Sequence, residues 1–208
     1  MSKQKKIRKV LLTARAEDSA VRIHRGWKRA ETIEGFVVGV GRKWTLIATT
    51  TTGGFFDGYA TIRMTDITRA RPYDSWEHRF FQTLPEWPPR PPAGRSAIDL
   101  DTTSGMLATF LEPGVLLSIE RRKKHAMWVG VPNELTRNWF YLWEVDANAV
   151  WDPAPRGYRP RTVTLVRTGH LYLQGLTVVA DSPPSEDLPH HWTARSKASR
   201  RENRTATH

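Results

Sequence analysis

The side chains able to do chemistry in this chain are cationic and aromatic, not nucleophilic. None of its 208 residues is a cysteine, which excludes a thiol nucleophile, a thiolate metal site and a disulfide framework. Gly39-Val40-Gly41 opens like a nucleotide loop, but no third glycine follows and the next residues read as strand, so no helix N-terminus is offered to a phosphate. Walker and nucleophile-elbow spacings are absent. Asp99 and Asp101 could hold a cation in a nuclease, yet they stand where acids favour the positive end of a helix dipole. His190 and His191, beside Glu186 and Asp187, could collect a metal ion but lie in a polar stretch that reads as solvated linker. These patterns predict a protein that is not an enzyme and needs no cofactor or metal. Nine tryptophans remain; Trp27, Trp87, Trp128, Trp143 and Trp151 could interleave with basic residues to stack single strands, or fill small cores, and packing is favoured for most. Arg121-Arg122-Lys123-Lys124 reads equally as a phosphate-contacting cluster and as a charged hairpin turn.

The formal net charge is +11, and residues 1–84 carry sixteen basic against eight acidic side chains, or +8. Such an excess concentrates polyanions near the surface, so nucleic acid or an acidic protein is the expected kind of partner. The apolar stretch Val10-Leu11-Leu12 is too short for a signal peptide, and no run approaches the roughly 20 apolar residues of a membrane span. Together with the missing cysteines this predicts a cytoplasmic protein with no membrane partner.

Positioning these residues requires a framework, and the patterning predicts a mainly β one. Residues 1–20 form a basic arm or a short amphipathic helix, with Ile7, Val10, Leu11 and Ala14 at helical spacing. From Val21 the sequence breaks into short apolar runs divided by glycine: 21–25, 35–41, 43–50, 58–64 and 66–72. Five strands in so few residues favour a small barrel over an open sheet, because closure removes edges. Residues 85–95, with five prolines in 84–95, read as a semi-rigid linker. A short helix over 101–114 is capped by Thr102, Thr103 or Ser104 and stopped by Pro113-Gly114. Strands resume at 115–121, 126–132, 138–146, 161–169 and 172–180, and residues 181–208 are expected to be disordered.

The two strand-rich stretches, 21–84 and 96–180, read as a duplication. VRIHR matches LSIER, Val-Gly-Val at 38–40 matches 129–131, KWTLI matches NWFYL, Gly58-Tyr59 matches Gly157-Tyr158, and Gln82-Thr-Leu84 matches Gln174-Gly-Leu176. The first copy holds most of the charge. The second keeps Trp139 but lacks an arginine motif like Ile62-Arg63-Met64-Thr65-Asp66-Ile67.

GFVVGVGRKWTLIA at 35–48 resembles the first motif of the Sm-like family of small β-barrels: Gly35, Val37, Gly39 and Val40 in order, Trp44 at the bulky position, Thr45 at the polar one, and Leu46-Ile47 in the following strand. Ile62-Arg63 through Ile67 approaches the second motif. Gly41 stands where the family has aspartate, Thr45 where it has asparagine and Met64 where it has glycine. The resemblance implies two tandem Sm-like β-barrels, each with a short N-terminal helix, in which the two motifs meet. It also implies that Trp44, Thr45 and Arg63 hold an unstacked RNA base, stacking on the indole with a guanidinium beside it; Arg42, Lys43 and Arg69 are expected to be nucleic-acid-binding as well. The competing readings are a core tryptophan at 44, an arginine at 63 paired with Asp66, and barrels that recognise a protein partner or build a homo-oligomer.

Overall fold

The computed structural model describes residues 2–26, 30–91, 98–111, 114–122 and 126–184. Trp27, Lys123, Lys124, His190, His191 and the segment 185–208 of the expected tail lie outside the described residues, as do positions 92–97, which take in the end of the expected linker and the first two residues of the second half.

Helix α1 (Lys3–Ala16) starts at Ser2, whose hydroxyl accepts the Lys5 N–H, and buries Ile7, Leu11 and Ala14, the stripe that helical spacing predicts. Five strands follow: β1 (Ala20–Arg25), β2 (Ile33–Val40), β3 (Trp44–Thr50), β4 (Phe56–Arg63) and β5 (Ile67–Pro72), then α2 (Trp76–Phe81). The second half runs α3 (Thr103–Thr109), β6 (Leu117–Arg121), β7 (Met127–Leu135), β8 (Phe140–Glu144), β9 (Arg156–Tyr158), β10 (Val163–Thr168) and α4 (Leu171–Val179). All ten strands belong to one antiparallel sheet in the order β5-β1-β2-β3-β4-β10-β6-β7-β8-β9.

Each half places its fifth strand beside its first and then runs in sequence, and the halves join where β10 pairs with β4, Thr61 facing Val166 and Tyr59 facing Thr168. The sheet is not closed. Among the described residues no ladder brings β5 to β4, β10 to β9, or the end strands β5 and β9 together, so the separate closure expected of each half is not present as strand pairing. The outer edge of β4, where a closing strand would sit, is occupied by β10.

The repeat extends to register. Val21 faces Gly35 as Leu117 faces Gly130, and β2 and β7 carry a bulge at the same place, between Val37 and Gly39 and between Pro132 and Glu134. The true partner of Gly130 is therefore Gly35, not Gly39 as the Val-Gly-Val match suggests. Both must be glycine, since a Cβ would lie 2.0 Å from the Ala48 carbonyl oxygen in one and 2.2 Å from that of Trp143 in the other.

One expected strand is a helix. Residues 172–180 fall largely in α4, where Leu173 and Leu176 are buried three apart and Leu171, Tyr172, Val178 and Val179 are exposed; the burial has helical rather than alternating period. The core is divided accordingly. Ile7 and Leu11 of α1 pack on Val21, Ile23, Ile47 and Ile62; Met106 and Leu107 of α3, with Phe110 just beyond it, pack on Ile119, Phe140, Leu142 and Val166; Leu173 and Leu176 of α4 pack on Val129, Val131 and Trp143. Across the junction, Glu120 accepts from Arg25 at 2.7 Å and from Arg167 at 2.6 Å, and Arg167 also pairs with Glu31. No helix among the described residues is long and apolar enough to cross a membrane.

Candidate nucleic-acid interface

The two motifs of the first half do meet. Trp44 on β3 faces Arg63 on β4, whose guanidinium carbon lies 4.6 Å from the indole centroid. What surrounds the pair differs from an open pocket. Trp44 is 0 % exposed and donates its indole N–H to Thr103 Oγ1 at 3.3 Å, and its ring belongs to the core under α3. Arg63 donates from Nε to the Val163 carbonyl at 2.7 Å and from Nη2 to that of Pro160 at 2.9 Å, with Asp66 at 3.8 Å. Burial pulls its pKa below the ordinary arginine value, against the opposing charge of Asp66. Thr45 is buried too, its hydroxyl spent on the Gly39 carbonyl at 2.8 Å.

The chain itself supplies the cover. The Lys43 and Trp44 N–H groups donate to the Leu100 carbonyl at 3.2 and 2.9 Å, and the Arg42 N–H donates to Asp101 Oδ1 at 2.6 Å. Leu100 lies so close that a Cβ on Gly41 would sit 2.3 Å from its carbonyl carbon, so glycine replaces the expected acid and Asp101 provides the carboxylate. Asp99 is fixed by the Thr102 hydroxyl at 2.7 Å and the Asp101 N–H at 2.8 Å, which hold its pKa below the usual range. Both acids thus build the approach to α3. Arg42, 73 % exposed along its side chain, and Lys43 point to solvent, while Arg69 is exposed on β5, on the far side of β1 and β2 from β3.

The second half carries an equivalent that a reading by motif misses. Phe140 faces Tyr158 as Thr45 faces Ile62, which makes Trp139 and Arg159 the counterparts of Trp44 and Arg63. The second copy therefore does not lack the arginine. Pro160 and Arg161 replace Met64 and Thr65 and disguise the motif, and the Gly-Tyr match displaces the alignment by three residues. Arg159 precedes a 3₁₀ turn over Pro160–Thr162 as Arg63 precedes one over Met64–Asp66.

Here the pair is less enclosed than Trp44 and Arg63. Trp139 is half-buried, with the Arg159 guanidinium carbon 3.8 Å from its centroid and the Tyr141 ring alongside at 6.4 Å and 36°. Gly157 forms the floor, where a Cβ would lie 2.9 Å from Tyr141 Cε1 and 3.1 Å from Trp139 Cε3. Thr136 fixes the loop by accepting the Trp139 N–H on its hydroxyl at 3.0 Å and donating its own N–H to the Trp139 carbonyl at 2.8 Å. Arg137, Asn138 and Arg161 are exposed around the rim. Behind it Arg121 lies 5.3 and 5.2 Å from the Trp128 and Tyr158 ring centroids. Burial and a hydrogen bond to Glu144 keep the Tyr158 hydroxyl protonated, well above its ordinary pKa. Such a site can stack a planar ring and hold an anion beside it.

Comparisons with protein-family models, with curated proteins and with solved structures find no match to this chain.

Proposed function

We propose that this chain is a non-catalytic, cytoplasmic protein that binds single-stranded nucleic acid, RNA foremost, through two tandem Sm-like barrel units of which the second presents the less enclosed site. The observation that carries the reading is the half-buried Trp139 with Arg159 at 3.8 Å and Tyr141 beside it. A base stacks on the indole, the guanidinium serves as a second plane or turns to a phosphate, and Arg137 and Arg161 meet the backbone. Trp44 and Arg63, the same pair enclosed, unite the two halves. Support for the Sm-like assignment is the motif spacing at 35–48, the repeated strand order and the matching bulges. Titration of fluorescently labelled oligouridine against wild type, Trp139→Ala and Arg159→Ala tests the site: the proposal requires binding that both substitutions weaken.

A second reading, an oligomerisation or protein-interaction module without nucleic acid, rests on one observation. The β4–β10 ladder joins two like units, with β5 and β9 as the ends of the sheet among the described residues. A discrete oligomer by light scattering together with no binding of oligouridine would favour it.

A further inference from the structure

We infer that the β1–β5 edge carries, on the face turned away from α1, a contact surface for the phosphate backbone of a nucleic acid. Val21 and Ile23 of β1 and Ala70 of β5 turn toward the core beneath α1. By alternation Arg22, His24, Arg69 and Arg71 share the opposite face. The register sets Arg71 directly opposite Arg22 and Arg69 directly opposite His24. Arg22 and Arg71 are like charges in opposed cross-strand positions, which weaken a ladder unless anions cover both. Glu34 pairs with Arg22, which also lies 3.6 Å above the Tyr73 ring. Among the described residues no acid pairs with Arg69 or Arg71. Arg71 Nε and His24 Nε2 are themselves enclosed, so contact with an anion falls to the exposed Arg69 and to the outer nitrogens of the half-buried Arg71.

The second half supplies an internal control. Arg167 opposite Ser118 occupies the place of Arg71 opposite Arg22, and Glu120 opposite Leu165 that of His24 opposite Arg69. There the arginine donates to Glu120 at 2.6 Å and the strand is covered by β4. Among the described residues one framework thus holds an arginine paired with an acid where the strand is covered and one without an acid partner at the sheet's end. Alternate residues on one strand are about 6.8 Å apart, a span comparable with that between successive phosphates of an extended strand. A base-free backbone is sufficient ligand for such a face. The inference rests on the proposed nucleic-acid function only for the identity of the polyanion.

The test uses the full chain with a labelled abasic deoxyribose-phosphate 12-mer and with labelled oligouridine, at about 50 and 200 mM salt. Arg69→Ala/Arg71→Ala is expected to weaken both by roughly tenfold at the lower salt and to make the salt dependence shallower by about 1.4, or 0.7 for each phosphate contact of a single strand. Arg69→Lys/Arg71→Lys should keep most of the affinity, which separates charge from folding. Trp139→Ala should leave the abasic strand bound as in wild type. If the abasic strand does not bind, or binds the double alanine variant with unchanged affinity and slope, the inference is overturned, even where oligouridine still binds through Trp139. Loss of oligouridine stacking with the abasic result intact would instead sink the stacking site and leave this face standing. Polyglutamate binding as tightly as the abasic strand with the same arginine dependence would overturn the assignment to nucleic acid.

Discussion

Replacing Trp44 by alanine removes the largest fully buried side chain, one that belongs to the core of the opposite half. Truncating a buried aromatic to alanine costs about 3–5 kcal/mol through lost transfer energy and the cavity left behind. Here the loss also takes the acceptor face from Arg63 at 4.6 Å and the donor from Thr103 at 3.3 Å, which places the change toward the upper end, near 5 kcal/mol. With a urea slope of about 2 kcal/mol/M the unfolding midpoint falls by roughly 2.5 M. Trp44→Phe keeps most of the volume and forfeits the indole hydrogen bond, so its cost is about 1–2 kcal/mol. Urea titration followed by far-ultraviolet circular dichroism reads both, with the slope checked for two-state behaviour. A Trp44→Ala unfolding free energy within about 0.5 kcal/mol of wild type at the same slope would refute the enclosed, junction-forming role and return Trp44 to the status of a free stacking platform.

Glu120→Gln should destabilise by about 3–5 kcal/mol, because it leaves the buried guanidiniums of Arg25 and Arg167 without their shared carboxylate; thermal or urea unfolding of the single variant decides this. Burial pulls the His78 pKa down, against the nearby charges of Glu34, Glu77 and Asp74, so the unfolded chain binds the proton more readily than the folded one. Stability is then full above the unfolded value of about 6.5 and declines as pH falls through the lower folded value. Unfolding measured between about pH 7.5 and pH 5 should show this decline in wild type and a flatter profile in His78→Gln, while identical profiles would exclude the histidine as its source.

What the sequence makes legible is local. The stripe Ile7, Leu11, Ala14 is a helix because its spacing leaves no other face to bury. Gly35 through Ile47 is a β-hairpin whose short apolar runs are divided by glycine, and Gly35 sits where the facing Ala48 carbonyl comes too close for a side chain. The meeting of Trp44 with Arg63 follows from two motifs on adjacent strands. The cover over that pair was not legible, since Leu100, Asp101 and Thr103 come from 56 to 59 residues away in sequence and meet it through one backbone carbonyl, one carboxylate and one hydroxyl. Arg159 escaped because its motif carries Pro160 and Arg161, and only the register of Phe140 with Tyr158 reveals the equivalence. The helix α4 reads as a strand because a run of Leu, Val, Tyr and Thr satisfies β propensity while tertiary packing of Leu173 and Leu176 decides otherwise.

The most direct measurement is the affinity of labelled oligouridine at about 50 mM salt for wild type and for Trp139→Ala, with thermal melting to confirm that both are folded. Stacking on the Trp139 indole is worth about 1–3 kcal/mol, so the expected result is binding that weakens by roughly 5- to 150-fold in the variant and falls in both proteins as salt is raised. Equal affinity of the two folded proteins, or no binding by wild type, would contradict a base-stacking site at Trp139.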